Sequence, residues 1–332
     1  MNVILTITIL IVIFALVFDF INGFHDTANS IATAISTNAL KPRQAIILAS
    51  IMNFIGAMTF TGVAKTISSD IVDPFTLPNG SVVILAALLA AITWNIITWY
   101  YGIPSSSSHA IIGAIAGASV VAAGVEALNF NGFIDILKAL FYSPIIAFIF
   151  GYLLFSLFKL IFQDLNLSKS NQKFRIVQIF TAAAQAYAHG MNDAQKTMGI
   201  ITMALIAYGA QTTFEIPFWV QLTSALAMGL GTSVGGWRII TTVASNIMKI
   251  RPINGVAADI SGAFIIFGAS FLHIPISTTY IISSSIMGVG ASQGLRGVRW
   301  GTVQRMVLTW AVTLPISALL AGLYFSILSL FF

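Results

Sequence analysis

Apolar positions run through this chain in long stretches, and the polar positions fall into short interruptions between them. Each stretch reaches the roughly 20 residues needed to cross a bilayer. The pattern therefore predicts helices that are apolar all round and span a membrane, not helices with one apolar face. The expected crossings run over 4–40, 44–67, 82–101, 103–124, 136–159, 174–209, 217–236, 255–272, 275–292 and 306–331. The first and sixth are too long for a straight crossing, since about 37 residues at about 1.5 Å each reach roughly 55 Å against a hydrocarbon core of about 30 Å. Both are expected to be broken, tilted or re-entrant.

Each of these long segments carries a polar interruption, Asn22-Gly-Phe-His-Asp-Thr-Ala-Asn-Ser30 in one and His189-Gly-Met-Asn-Asp-Ala-Gln-Lys-Thr197 in the other. They align at an offset of 167, which sets Gly23 over Gly190 and Asp26 over Asp193. A second pair, Ile103-Pro-Ser-Ser-Ser-Ser-His109 and Ile274-Pro-Ile-Ser-Thr-Thr-Tyr280, aligns at 171. Two similar offsets in the same order indicate a duplication, with a first repeat at 1–165, a cytoplasmic linker at 166–173 and a second repeat at 174–332. Five crossings in each copy, an odd number, send the second copy into the membrane from the opposite side. The charges agree: Lys41 to Arg43, Lys159 to Arg175, Arg238 to Arg251 and Leu295 to Arg305 are basic, whereas Asp70 to Gly80, Glu126 to Asp135 and Gln211 to Pro217 are acidic or poor in cations. Basic loops stay cytoplasmic. The expected fold is an all-α integral membrane protein of about 10–12 transmembrane helices in two inverted-topology repeats, with broken helices and re-entrant hairpins. That is an architecture of secondary transporters.

Composition narrows the class further. Hydrophobic residues make up 58% of the chain and charged residues 8%, with a mean hydropathy of +0.94, whereas soluble domains carry about 25% charged residues. The first apolar run starts at Val3 without a basic leader, so it is expected to remain as structure, not as a cleaved signal peptide. The net charge of +5 arises from the basic loops and implies no nucleic-acid partner. With no cysteine, disulfides and thiolate metal sites are excluded. No Gly-Lys-Ser/Thr phosphate loop is present. Ion gradients are then the expected source of energy, no cofactor or catalytic residue is expected, and the place is a bacterial inner membrane, crossed many times. Lipid is the expected surrounding, with a homodimer one assembly open to it.

An unpaired carboxylate inside a membrane is costly and marks a cavity, a partner or an ion. Asp26 and Asp193 are therefore read as ligands of a coupling cation, a metal site for sodium or a similar hard ion, with Asn29 and Asn192 as co-ligands. A structural ion pair with Lys196 or a histidine is the plainer alternative. His25 supplies a group that could carry a proton near neutral pH. Lys196, where the first copy has Asn29, offsets an aspartate, attracts an anion or snorkels. Pro104 and Pro275 are expected to open helices whose positive ends bind anions. Ser105, Ser106, Ser107 and Ser108 from one side, and Ser277, Thr278 and Thr279 from the other, would donate to the oxygens of a tetrahedral ion. His109, His189 and His273 are given structural roles, as are Asp19 and Asp259 near helix ends, and the six tryptophans are read mostly as interfacial anchors.

These segments, Gly23-Phe-His-Asp-Thr-Ala-Asn-Ser30, His189-Gly-Met-Asn-Asp-Ala-Gln-Lys-Thr-Met-Gly199 and the paired Pro-Ser-rich stretches, resemble the inorganic phosphate transporter (PiT) family over essentially the whole chain. The resemblance implies a cation-coupled phosphate symporter, with Asp26, Asn29, Asn192 and Asp193 handling the cation and the Ser/Thr stretches holding inorganic phosphate. His25 stands where the broader family has Asn, as in bacterial low-affinity members, so the driver is sodium or a proton, or the cargo is a metal-phosphate complex. Sulfate permeation by the same architecture is the first alternative. An intramembrane aspartyl protease is the second, although neither Tyr-Asp nor Gly-x-Gly-Asp is present.

Overall fold

The computed structural model describes residues 3–69, 72, 77, 79–164 and 167–332. Among the described residues the regular structure is helical: α1 (Val3–His25), α2 (Thr27–Ser36), α3 (Pro42–Ala57), α4 (Gly62–Ser69), α5 (Gly80–Tyr100), α6 (Ser107–Ala123), α7 (Phe130–Ile161), α8 (Leu167–Tyr208), α9 (Phe218–Val234), α10 (Trp237–Asn246), α11 (Pro252–Phe271), α12 (Thr278–Ala291) and α13 (Trp300–Leu328). Among the described residues five stretches are both long and apolar enough to cross a bilayer: Ile4–Ser36, Gly80–Tyr100, Phe130–Ile161, Pro252–Phe271 and Trp300–Leu328. Large apolar side chains of α7 and α13, among them Phe141, Leu153, Leu160, Leu319 and Leu323, point outward, as a helix facing lipid requires. The protein is an integral, multi-pass membrane protein.

The order of elements in the first half recurs in the second. A short 3-10 turn precedes both α7 and α13, and each of those helices carries an interior proline, Pro144 and Pro315, 171 positions apart. Left-handed residues pair in the same way: Asn38 with Gly209, Gly102 with His273 and Gly124 with Gly294, at separations of 170 or 171. Packing follows the same exchange of halves, with α6 on α13 and α12 on α7, and with α3 on α8 and α1 on α9.

The two long segments behave differently. The first breaks at Asp26, between α1 and α2. The second, also expected to break, is one continuous helix of 42 residues. Its polar interruption is bridged by contacts along the helix itself, Lys196 to Asp193 three residues back and His189 to Asp193 four residues on, which are pairings that suit a helix. Of the expected linker, residue 166 lies outside the described residues and 167–173 form the first turns of α8. Most of the acidic loop 70–79 also lies outside them.

Three further expectations are corrected. The basic loop at 238–251 contains α10, held because Ile239, Ile240 and Val243 are buried and the helix packs on α2. The segment 44–67 is two helices, α3 and α4, not one. Trp94 and Trp310 turn inward, Trp94 donating to Thr313 Oγ1 at 3.1 Å and Trp310 stacking on Tyr280.

Helices approach most closely at glycines, as is usual in membranes. A Cβ on Gly231 of α9 would lie 1.9 Å from the Phe20 carbonyl oxygen of α1, and backbone cannot swing aside. Gly231→Ala should lower the thermal unfolding midpoint in detergent by the equivalent of about 1–3 kcal/mol, the usual cost of overpacking. An unchanged midpoint would mean that α1 and α9 separate freely.

Candidate functional site

Two apolar clusters make up the core, one drawn mainly from α1, α5, α6, α8 and α9 and the other mainly from α2, α3, α10, α11 and α12, with α7, α8 and α13 contributing to both, and a polar centre is buried as well. There Asp26, Asp193 and Lys196 are at most 1% exposed. α8 lies antiparallel to α1 and α2, since Thr197 reaches Ala15, Asn22 reaches Asp193, and Thr37 reaches Gln178. The two polar interruptions therefore cross at the centre of the protein.

The Ser/Thr segments deliver helix ends to the same place. Each runs extended through its proline and turns helical three residues later, at Ser107 and at Thr278. Pro104 and Pro275 thus precede the helices and do not open them. The reason is capping: Ser106 Oγ accepts from His109 N at 3.1 Å and Ser277 Oγ accepts from Tyr280 N at 3.3 Å, the side-chain role that starts a helix. Ser108 Oγ donates to the Ile276 carbonyl at 2.9 Å, so the two N-termini meet.

Both ends close on the carboxylates. Ser107 donates to Asp26 Oδ2 at 2.6 Å and Thr279 to Asp26 Oδ1 at 2.9 Å, while Thr278 donates to Asp193 Oδ2 at 3.1 Å. His25 Nδ1 lies 2.7 Å from Asp26 Oδ1, and its Nε2 is 3.0 Å from Thr98 Oγ1. In the other half Asn192 Nδ2 donates to Ser270 Oγ at 2.9 Å. Thr98 is tied in turn to Ser105 Oγ at 2.8 Å. The residues at matching places in the two polar interruptions differ most plainly in charge. Lys196 Nζ stands 2.8 Å from Asp193 Oδ1 and 3.3 Å from Ser107 Oγ, whereas Asn29, its counterpart, donates to the Asp26 carbonyl and to Thr279.

All seven hydroxyls and both aspartates expected at a site are thus buried in one region, and three of the hydroxyls bond directly to carboxylate. The structural ion pairs weighed as the alternative also exist, as His25 with Asp26 and Lys196 with Asp193. Lys196 does not snorkel. Asp19 lies six residues before the end of α1 and Asp259 seven residues into α11, so neither is a terminal residue, and both are buried, Asp259 accepting from Thr33 at 2.6 Å and Thr181 at 3.1 Å. His109 and His189 have the expected bonded roles, to Ser106 and to Asn53.

Sequence reasoning missed Asn22, which donates to Asp193 Oδ2 at 3.3 Å, and the knot of Thr27, Asn53 and Thr232 beside it. Asn22 lies four residues before Asp26 on one helix face, a signal that was available. Asn53 and Thr232 carry no such mark.

What the site can bind follows from its donors and acceptors. Asp26, His189 and Asp193 bring ligand atoms within 4.8 Å of one another. The side-chain oxygens of Asn29 and Asn192 are buried with no hydrogen-bond donor, which native interiors rarely leave unanswered. Carboxylates with amide and hydroxyl oxygens suit a hard cation, and two convergent helix N-termini suit an anion.

A buried charged centre inside a helical membrane protein is the setting of a membrane transporter. The chain belongs to the phosphate transporter family, whose sequence pattern matches residues 22–321. It is 68% identical to the probable low-affinity inorganic phosphate transporter of Bacillus subtilis over the full length of both chains, and 43% identical to that of Rhizobium meliloti over 94% of each. A solved structure described as the sodium-dependent phosphate transporter superposes with a TM-score of 0.85 at 27% identity, covering 98% of this chain and 100% of that one. Phosphate transport, not catalysis, is the activity class, which removes the protease reading.

Proposed function

We propose that this protein is a secondary symporter of inorganic phosphate driven by a cation gradient, with its two halves acting as inverted repeats that rock about the central site. The observation that carries the coupling is the set of donor-less buried oxygens on Asn29 and Asn192 beside Asp26 and Asp193. Such oxygens are relieved by a cation. Sodium is the favoured ion, given hard oxygen ligands and the sodium dependence in the name of the superposed structure, with His25 as the group through which a proton would substitute. The antiparallel crossing of α8 with α1 and α2, and packing that is symmetric under exchange of halves, support the inversion.

The order of events follows from the hydrogen bonds. Ser107, Thr278 and Thr279 donate their hydrogen bonds to carboxylates. A cation bound to those carboxylates weakens their hold on the hydroxyls, which turn to phosphate at the helix N-termini. Cation binding therefore precedes phosphate, and it also offsets the negative charge that would repel the anion. The test is radiolabelled phosphate uptake into proteoliposomes under an inward sodium gradient, an inward proton gradient or neither, with sulfate as competitor. Uptake that needs one gradient and ignores excess sulfate is the expected result. Equal uptake without any gradient would make the protein a passive pathway, and entry of sulfate in place of phosphate would overturn the substrate.

A further inference from the structure

Asp19 is fully buried in α1, and neither of its oxygens receives a well-formed hydrogen bond. Three residues on, on the same helix face, the Asn22 side-chain oxygen is also buried without a donor, its amide nitrogen being spent on Asp193. Thr197 lies alongside, its hydroxyl reaching both the Ala15 carbonyl, 3.5 Å away and one helical turn before Asp19, and the Asp19 carboxyl itself. The helices packed on α1 are α2, α5, α8 and α9. Of these, α8 brings Asp193 and Lys196 within electrostatic reach of Asp19. Lys196 is already committed to Asp193 at 2.8 Å, and the only titratable residue in α2, α5 and α9 is Tyr100, at the exposed end of α5.

A buried carboxyl whose one neighbouring donor is the Thr197 hydroxyl, and a donor-less amide oxygen on the same face, form a cradle rich in acceptors with no free countercharge. We infer that Asp19 and Asn22 bind a monovalent cation of their own, about 10 Å along α1 from Asp26. The counterpart of Asp19 in the second half, 167 positions on, is Ala186. This position therefore adds to the first half a carboxyl group that the second half lacks. Resting on the symporter reading, the inference assigns to Asp19 one cation per transport cycle beyond those at Asp26 and Asp193.

The measurement is the reversal potential of phosphate flux in proteoliposomes, taken separately against sodium and proton gradients, for the parent, Asp19→Asn and Asp19→Glu. The expected result is one cation fewer per phosphate in Asp19→Asn, with the parent value kept in Asp19→Glu. Loss of dependence on the sodium gradient by one ion names sodium, and the same loss on the proton gradient names a proton. An unchanged ratio in Asp19→Asn against both gradients would overturn the inference. Should Asp19→Asn fail to fold, dicyclohexylcarbodiimide labelling of the unaltered protein reads the site directly. Labelling at Asp19 that saturating sodium or rising pH suppresses supports the cradle, and absence of labelling at Asp19 under every condition overturns it. A parent that takes up no phosphate at all would sink the symporter reading, while the labelling would still report on Asp19.

Discussion

Asp26→Asn should lower gradient-driven phosphate uptake by at least about 100-fold, equivalent to about 2.7 kcal/mol, while leaving the protein folded. The two halves of that expectation have separate causes. Asparagine keeps the shape of the side chain and an acceptor oxygen for Ser107 or Thr279, so the meeting of the helix ends of α6 and α12 survives. What it removes is the charge that holds a cation and the partner of His25 at 2.7 Å. If the hydroxyls must be released by a cation before they can take phosphate, loss of the cation ligand costs phosphate binding as well. Uptake and melting should be measured on the same preparation. Transport within about two-fold of the parent would remove Asp26 from the coupling step, and a collapse in the melting midpoint would make its role structural.

Asp26 and Asp193 were legible because they occur twice, in equivalent places, inside segments where any ionisable side chain stands out. The same logic exposed the paired Ser/Thr segments. Recurrence of a motif is a strong signal in a membrane protein because the surrounding composition is so uniform. That uniformity hides much else. Apolar residues face both lipid and core, so the pattern shows no depth for Asp19 or Asp259, both of which are buried on helices that also carry exposed apolar side chains. Nor could it show which long segment breaks. Both copies carry glycine and asparagine, yet only the first opens, because the second contains Lys196 and His189 to tie Asp193 along one helix face. Thr98, Asn53 and Thr232 became visible only when residues far apart in sequence came together, and a single threonine in an apolar run has no period to betray it.

Lys196 stands where the first polar interruption has Asn29, and its removal should be among the most damaging single changes to stability. Its ammonium is buried against Asp193 at 2.8 Å. Breaking a buried pair by deleting one partner costs about 3–5 kcal/mol, because the charge left behind is uncompensated, whereas replacing both partners is often close to neutral. Lys196→Met should therefore lower the melting midpoint sharply, and the double variant with Asp193→Asn should recover most of the loss without restoring uptake. Sodium adds a sharper test. In Lys196→Met the abandoned Asp193 carboxylate faces Thr278 and Asn22, a setting that a sodium ion can enter, so high sodium should raise the midpoint of the single variant more than that of the double. A double variant no more stable than the single one would show that Lys196 acts by filling space or by attracting phosphate. Recovery with sodium dependence confined to the single variant would make Lys196 a built-in cation, standing in the second half where the first half has only the Asn29 amide.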